Sequence, residues 1–256
     1  MIRRFILLLT LTFLFSCNEK KSGSKINLEA DSTAFTQTLN IIPISHASFI
    51  LEAGTDVIYI DPTGGSTAYI GQKRPTAIFI TDVHGDHLNT TTLEELKVKD
   101  IPVIAPPAAA QRIPSAIATN VIEVANGTTH HLHDNLFFST IPMYNLRAEA
   151  LNFHPKGRGN GYVINLKGER IYISGDTEDI PEMRALEDID KAFVCMNLPY
   201  TMTVESAADA VVEFGPKQVY PYHYRGKNGL SDVNRFKTLV NQGNSDVEVI
   251  QLNWYR

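Results

Sequence analysis

The chain has 256 residues, of which 43% are hydrophobic, and this is enough to form one large core. Its 28 acidic and 23 basic side chains give a net charge of −5, with the basic residues scattered along the chain. This pattern argues against nucleic acid as a partner. With two cysteines in all, the chain has no disulfide framework of the kind that holds small secreted domains together.

The first residues have the pattern of a bacterial lipoprotein signal. Arg3 and Arg4 precede an apolar segment that ends at Phe15 and is too short to span a bilayer comfortably. Leu14 to Cys17 resembles a lipobox, in which the peptide is cut before the cysteine and the cysteine is lipidated. We therefore expect a lipoprotein signal peptide at residues 1–16 and a protein anchored through Cys17 to a membrane of the bacterial cell envelope. An ordinary cleaved secretion signal is the alternative.

A polar stretch follows the signal. Residues 17–37 are poor in large apolar side chains and cannot bury enough surface to fold alone, so we predict a flexible tether. Residues 38–256 then form one domain. Its cysteine, Cys195, lies in an apolar run from Ala192 to Met196, where we expect it to be buried in the packing.

Within the domain, short apolar runs alternate with helical segments. In chain order, the pattern predicts strands at 49–52, 57–61 and 77–81, a helix at 93–96, a strand at 103–104, a helix at 107–112, and strands at 121–124, 136–143, 161–166 and 170–174. It then predicts a helix at 181–186, a strand at 192–196, a helix at 204–214, a strand at 218–222, a helix at 232–240 and a strand at 247–253. Thr91 and Glu94 have the spacing of a capping box, and Thr203 and Gly215 suit the two ends of the helix at 204–214. This order suggests two packed sheets with helices outside, although pattern alone leaves several α/β arrangements open.

Side chains that bind metals cluster directly after the strand at 77–81. Asp82, His84, Asp86 and His87 lie within six positions, and two imidazoles with two carboxylates at a strand end can converge on a divalent ion. Three further residues of this kind lie in loops or just past strands: His154, Asp176 and His223. Because strand ends at one edge of a sandwich are close in space, all seven side chains can meet.

This order of residues resembles the metallo-β-lactamase superfamily of metal-dependent hydrolases, and most of all its ascorbate-phosphate lactonase-like branch. The family motif is His-x-His-x-Asp-His, followed by a distant His, a Gly-Asp and a final His. The chain has the motif segment Asp82 to His87, then His154, Gly175-Asp176 and His223. The resemblance covers about residues 40 to 256. It implies an α/β fold, a four-layer αββα sandwich with the metals at one edge between the sheets.

The resemblance also implies a ligand set. One ion is expected on Asp82, His84 and His154, a second on Asp86, His87 and His223, and Asp176 is expected to bridge them together with a hydroxide. Two divalent ions are therefore predicted, with zinc expected and manganese and iron as alternatives. Asp86 and Asp176 are the predicted catalytic residues, since Asp176 would hold the hydroxide and Asp86 would accept a proton from the attacking water.

Asp82 departs from the family pattern, which has histidine there. A carboxylate is a harder, charged ligand that still binds zinc but favours manganese or iron. The change is compatible with a direct ligand, a half-filled first site, a supporting group beside the ligands, or loss of activity.

Other polar side chains are weaker candidates. His46 is interpreted either as a support that hydrogen-bonds near Asp61 or as a purely structural residue. The cluster from His130 to Asp134 matches no recognised metal motif, and a solvated strand or turn is predicted there. Four residues are candidates for the pocket wall: Tyr144, Asn145, Tyr200 and Tyr222.

The sequence thus predicts an exported, lipid-anchored metal-dependent hydrolase. It would use a metal-bound hydroxide on a small-molecule ester, lactone or phosphodiester. A non-catalytic metal- or ligand-binding lipoprotein that retains the fold is the alternative, and Asp82 is the residue that gives it weight. An iron-dependent redox enzyme is a third hypothesis.

Overall fold

The structure is a computed structural model that describes residues 39–255. Its first sheet has six strands that follow one another in chain order: β1 (Asn40–Ser45), β2 (Ser48–Ala53), β3 (Asp56–Ile60), β4 (Ala77–Phe79), β5 (Val103–Ala105) and β6 (Val121–Glu123). The first three strands are antiparallel, and β3 to β6 are parallel.

The second sheet has seven strands: β7 (Thr129–His133), β8 (Leu136–Met143), β9 (Gly159–Leu166), β10 (Glu169–Ile173), β11 (Lys191–Cys195), β12 (Gln218–Tyr222) and β15 (Glu248–Val249). Neighbouring strands from β7 to β10 are antiparallel, whereas β10, β11, β12 and β15 run parallel to one another. A short hairpin consists of β13 (Arg225–Gly226) and β14 (Gly229–Leu230).

Five α-helices are present in the described part of the chain: α1 (Thr90–Glu95), α2 (Pro107–Ala110), α3 (Pro181–Arg184), α4 (Val204–Phe214) and α5 (Val233–Gly243). A 3-10 helix spans Ser66–Tyr69. Between residues 39 and 255, no helix has the length and apolar character needed to cross a membrane.

Alternation along the strands separates the core into layers. Ile58 and Ile60 of β3 belong to the core between the two sheets, whereas Tyr59 between them packs with Leu93 of α1 on the outer face. The inner core joins the sheets through rings such as Phe79 and Phe138, whose centroids lie 4.9 Å apart. Each ring buried in this way contributes about 1.5–3 kcal/mol relative to exposure.

The long helices cover the other face of the second sheet. Phe214 of α4 packs edge-on against Tyr172 of β10, with ring centroids 6.0 Å apart. With α1 and α2 on the first sheet and α4 and α5 on the second, the fold is the four-layer αββα sandwich expected from the resemblance.

Local signals predicted some elements better than others. The strands at 136–143 and 218–222 and the helix at 204–214 are confirmed, and the Thr203 side chain accepts a hydrogen bond from the backbone N–H of Ser206 at 3.0 Å. The predicted capping box of α1 is wrong, because the helix begins at Thr90 and Asn89 caps it by accepting from the N–H of Thr92 at 2.8 Å.

Other outcomes concern the ends of the chain and its cysteine. The strand predicted at 247–253 shortens to β15, and β1 was not predicted as a strand because its side chains are partly exposed. The segment with His130 and His133, for which a solvated strand or turn was predicted, forms β7. Cys195 is buried as expected, and burial raises the pKa of its thiol to about 12. The predicted signal peptide, the tether and Cys17 lie outside the described residues.

Candidate metal centre

The carboxyl ends of parallel strands from both sheets meet at one edge. Asp61 follows β3, the motif segment 82–87 follows β4, Asp176 follows β10 and His223 follows β12, while His154 lies in the loop between β8 and β9. The structure brings all seven predicted residues together. Their donor atoms form sets, each within 4.8 Å: Asp82, His84 and His154; His87, Asp176 and His223; and His46, Asp86 and His223.

Three buried residues and the exposed Asp86 are called the His87 group here: Asp86, His87, Asp176 and His223. The Nε2 atom of His87 lies 3.1 Å from Nε2 of His223 and 3.3 Å from Oδ2 of Asp176. Nε2 of His223 lies 3.3 Å from Oδ1 of Asp176 and 3.4 Å from Oδ2 of Asp86. Ligands bound at about 2.0–2.1 Å around one tetrahedral ion lie about 3.3–3.4 Å from each other, so the spacings among His87, Asp176 and His223 fit a single ion. Asp86 lies farther from His87, with 3.9 Å between its Oδ1 and Nε2 of His87.

Asp176 provides a direct test of whether the His87 group suits a metal. Its Oδ1 atom is buried and has no hydrogen-bond partner. Buried polar atoms without a partner are rare and require an explanation, such as an ion at the site. The donor set of two imidazoles and two carboxylates supplies what a divalent ion needs, so the residues fit the metal that the motif implies.

Asp61 fixes the orientation of His87. Oδ2 of Asp61 lies 2.7 Å from Nδ1 of His87 and accepts from the hydroxyl of Thr81 at 2.6 Å, and Oδ1 accepts from the N–H of Thr81 at 2.7 Å. A carboxylate partner assigns the proton of His87 to Nδ1 and leaves the lone pair on Nε2 directed at the centre. Nδ1 of His223 lies 3.0 Å from the side-chain amide nitrogen of Asn197, a donor, so this contact orients the ring but, unlike Asp61, does not hold a proton on Nδ1.

Charge in the His87 group favours a cation. Burial lowers the pKa of His87, but the charges of Asp176 and Asp61 and their hydrogen bonds raise it well above its usual value. Burial raises the pKa of Asp176, but the nearby charges of His223 and His87 outweigh this effect and hold the pKa well below its usual range. Asp176 therefore stays ionised, and the field that attracts a proton to His87 also attracts a divalent ion.

The other part of the centre is called the His84 group here: Asp82, His84 and His154. Nδ1 of His84 lies 2.9 Å from Oδ2 of Asp82, and Nε2 of His154 lies 3.2 Å from Oδ2 of Asp176. Nδ1 of His154 lies 3.1 Å from the carbonyl oxygen of Tyr200, which orients the ring.

Arg158, which sequence reasoning missed, forms a bidentate ion pair with Asp82. Its Nε donates to Oδ1 at 3.1 Å and its Nη2 to Oδ2 at 2.9 Å, and the Asp82 side chain is fully buried. Burial raises the pKa of Asp82, but the hydrogen bond with His84 and the nearby charges of His87, His84 and Arg158 lower it to about 2. Because both oxygens of Asp82 already have a partner, the His84 group fits an ion less well than the His87 group does.

A glycine allows Arg158 to reach this place. A Cβ atom on Gly159 would lie 2.8 Å from the carbonyl oxygen of Thr81 and 2.4 Å from the terminal carbon of Met143. Glycine therefore permits β9 to begin against the chain that leaves β4, and the N–H of Asn160 donates to the carbonyl of Thr81 at 2.9 Å. The signal that predicts such an arginine is Asp82 itself, since a buried carboxylate in place of a neutral histidine requires a counter-charge.

His46 supports a different residue from the one predicted. Its Nε2 lies 3.4 Å from Oδ2 of Asp86 and its Nδ1 lies 2.8 Å from the hydroxyl of Tyr255, so the predicted hydrogen bond near Asp61 is wrong. The cluster from His130 to Asp134 lies on and after β7, and residues 39–255 contain no metal-type set that includes it. That agrees with the prediction of a solvated strand.

A cavity of about 360 Å³ opens beside the centre. Its lining combines metal-type and aromatic side chains: His84, Asp86, Phe153, His154, Asp176, Asn197 and Tyr200. Of the four predicted wall residues, Tyr200 is confirmed. Asn145 is instead buried and ties two loops together through the carbonyls of Ala150 and Tyr200, and Tyr144 and Tyr222 also lie outside the lining.

The Beta-lactamase superfamily domain matches residues 49–224 of the chain. The chain belongs to the metallo-β-lactamase superfamily. A UPF0173 metal-dependent hydrolase of Thermococcus kodakarensis is 28% identical over 217 residues, which cover 81% of this chain and 94% of that protein. Another of Pyrobaculum islandicum is 31% identical over 193 residues, which cover 70% of this chain and 81% of that protein.

A solved structure agrees with these relatives. The crystal structure of a protein from Parabacteroides distasonis superposes with a TM-score of 0.76 at 34% sequence identity and covers 85% of this chain and 94% of that one. The protein is therefore a metal-dependent hydrolase with the metallo-β-lactamase fold. The assignment to the ascorbate-phosphate lactonase-like branch stays a prediction, because these relatives carry more general names.

Proposed function

We propose that this metallo-β-lactamase-fold hydrolase cleaves a small neutral ester or lactone with a divalent ion held by the His87 group. The observation that carries the proposal is the convergence of His87, Asp176 and His223, with Asp86 beside His223 and with an Oδ1 atom of Asp176 that has no hydrogen-bond partner. A divalent ion bound there would lower the pKa of a coordinated water toward neutrality and polarise the scissile bond. Zinc suits the mixed nitrogen and oxygen donors, with manganese and iron as alternatives, and the second ion predicted from the sequence would need the His84 group.

The two predicted catalytic carboxylates receive different roles in this proposal. We assign to Asp176 the orientation of the attacking water, because the residue lines the cavity and its Oδ1 atom has no hydrogen-bond partner. Burial raises the pKa of Asp86, but hydrogen bonds with His223 and His46 lower it well below the usual value. Such a carboxylate is a good ligand and a weak proton acceptor, so we assign to Asp86 mainly the binding of the ion.

The lining of the cavity supports the substrate class. A volume of about 360 Å³ accommodates a small molecule. Phe153 and Tyr200, with ring centroids 5.1 Å apart, offer an apolar wall beside the polar donors. Since no lysine or arginine is among the residues that line this cavity, the negative charge of a phosphodiester would be met by the ion alone. A neutral ester or lactone is therefore favoured.

We further propose that the hydrolase is exported and anchored in the bacterial cell envelope. The support is the sequence of the first residues: Arg3 and Arg4, the apolar segment that ends at Phe15, and the lipobox-like cysteine at position 17. Lipidation of Cys17 would keep the domain near a membrane, with residues 17–37 as a tether.

A non-catalytic binding lipoprotein is the second candidate. One observation favours it: Asp82, which stands where the family motif has histidine, forms an ion pair with Arg158. In that case the fold and a metal would be retained without turnover.

The test uses the full chain freed of metal with a chelator and then reloaded with zinc, manganese or iron. We expect metal-dependent hydrolysis of lactone and carboxyl ester probes, with phosphodiester probes cleaved more slowly. His87→Ala should lose metal and activity together. His133→Ala is the matched control, because His133 also pairs with a buried aspartate, Asp56 at 3.0 Å, but lies outside the centre.

Two results would decide against the proposal. Full metal occupancy without turnover on any probe would favour the binding lipoprotein. Unchanged metal content and activity in His87→Ala would overturn the assignment of the metal to the His87 group.

A further inference from the structure

We propose that the two halves of the centre bind metal unequally: the His87 group binds one ion tightly, and Arg158 prevents the His84 group from binding a second with comparable affinity. In the working enzyme, His84 and His154 then line the cavity as uncoordinated imidazoles. This inference rests on the proposed function in one respect, namely that the His87 group binds a metal ion.

The geometry of the ion pair is the first support. Arg158 contacts both oxygens of Asp82, at 3.1 Å and 2.9 Å, and Oδ2 of Asp82 also lies 2.9 Å from Nδ1 of His84. To bind an ion, Asp82 would have to turn at least one oxygen away from these partners. Bidentate pairs of arginine and carboxylate are among the stronger hydrogen-bonded contacts in proteins, so this turn is unfavourable.

The position of Arg158 is the second support. Its Nη2 also donates to the carbonyl oxygen of Phe153 at 2.5 Å, and its side chain is 20% exposed. Gly159 sets the adjacent strand against Thr81, so the backbone that carries Arg158 cannot easily withdraw. If Asp82 left the pair, the guanidinium would stay largely buried without its counter-charge, which is costly.

The balance of charge is the third support. The His87 group contains two carboxylates, whereas the single carboxylate of the His84 group is already matched by the guanidinium of Arg158. A divalent ion is thus attracted to the His87 group and meets a formally neutral set at the His84 group. A second ion would also lie close to the fixed positive charge of Arg158, which repels it.

The experiment measures metal stoichiometry and affinity rather than activity. Metal-free full chain is titrated with zinc and with cobalt(II) against a chelator of known affinity, and bound metal is counted by elemental analysis after dialysis. In the wild type we expect one tightly bound ion per chain and a second bound at least about 100-fold more weakly. The second ion would have to break the buried ion pair between Asp82 and Arg158, and leaving one partner unpaired lowers its affinity by about this factor.

Two variants test the cause. Arg158→Met should tighten the second ion by releasing Asp82. The double variant Asp82→His, Arg158→Met replaces the pair by the family's neutral ligand and should bind two ions. Arg235→Met is the matched control, because Arg235 pairs with Glu205 at 2.6 Å on the exposed surface, and this variant should keep one tight ion.

The outcomes separate this inference from the proposed function. Two ions bound within about tenfold of each other in the wild type, or a second ion equally weak in both folded variants, overturns the inference and leaves the hydrolase intact. A wild type that binds no ion overturns the proposed function itself. If circular dichroism shows that Arg158→Met does not fold, because it leaves a buried carboxylate unpaired, the double variant decides the question, since it carries neither charge.

Discussion

Asp61 offers a sharp test of the centre because it does not touch the cavity yet controls a ligand. Its carboxylate makes three short contacts, with Nδ1 of His87 at 2.7 Å and with the N–H and hydroxyl of Thr81 at 2.7 and 2.6 Å. In Asp61→Asn, the amide oxygen can keep the backbone contact, but the amide nitrogen is a donor and no longer accepts from His87. The imidazole then loses the partner that holds its lone pair on Nε2.

The magnitude follows from what is lost. One hydrogen bond to a charged group contributes about 1.5–3 kcal/mol, and mutation of a residue that orients a metal ligand typically lowers metal affinity 10–100-fold, which is about 1.4–2.7 kcal/mol. We therefore expect the zinc affinity of Asp61→Asn to fall by about 10–100-fold, with a loss of stability that is largest in the metal-loaded protein.

The assay is competition for zinc with a chromophoric chelator, accompanied by thermal unfolding with and without metal. Asp56→Asn is the control, since Asp56 is also a buried aspartate in contact with a histidine, His133, away from the centre. It should lose stability but keep its zinc affinity. If Asp61→Asn binds zinc as tightly as the wild type, the reasoning that Asp61 orients His87 is refuted.

Three further predictions concern acid stability, packing and the anchor. In metal-free protein the pKa of Asp82 is lowered from 3.8 to about 2, so its contribution to the free energy of unfolding is complete above about pH 4 and is lost as the pH falls toward 2. Urea unfolding between pH 3 and 5 should show that Asp82→Asn, although less stable at neutral pH, loses less stability on acidification than the wild type; equal slopes would contradict this. Gly175→Ala should lower stability by about 1–3 kcal/mol, because φ is +61° and the new Cβ would lie 2.6 Å from Sδ of Met143. Gly168→Ala, at φ +89° with nothing within 4 Å, isolates the backbone strain and should cost less in the same thermal unfolding measurement. Cys17→Ser should abolish incorporation of labelled fatty acid and release the protein from the membrane fraction, whereas Cys195→Ser should not; a Cys17→Ser protein that stays labelled would rule out the anchor.

The sequence by itself determined the type of fold and the identity of the donors. Apolar runs of strand length separated by helices indicated packed sheets, and helix α4 was predicted to the residue because Thr203 and Gly215 are strong local end signals. The order of Asp82 to His87, His154, Asp176 and His223 carried the family resemblance. Such features can be predicted from the sequence because each depends only on neighbouring residues in the chain or on residue type.

The tertiary structure decided which of these donors are free to bind an ion. Asp61 meets His87 because β3 and β4 are parallel neighbours, and Arg158 meets Asp82 because Gly159 lets β9 approach the end of β4. Both contacts join residues far apart in the chain, and no local propensity or spacing encodes them. Asp82 was recognised from the sequence as the residue that departs from the family, but only the fold shows that its charge is already matched by an arginine.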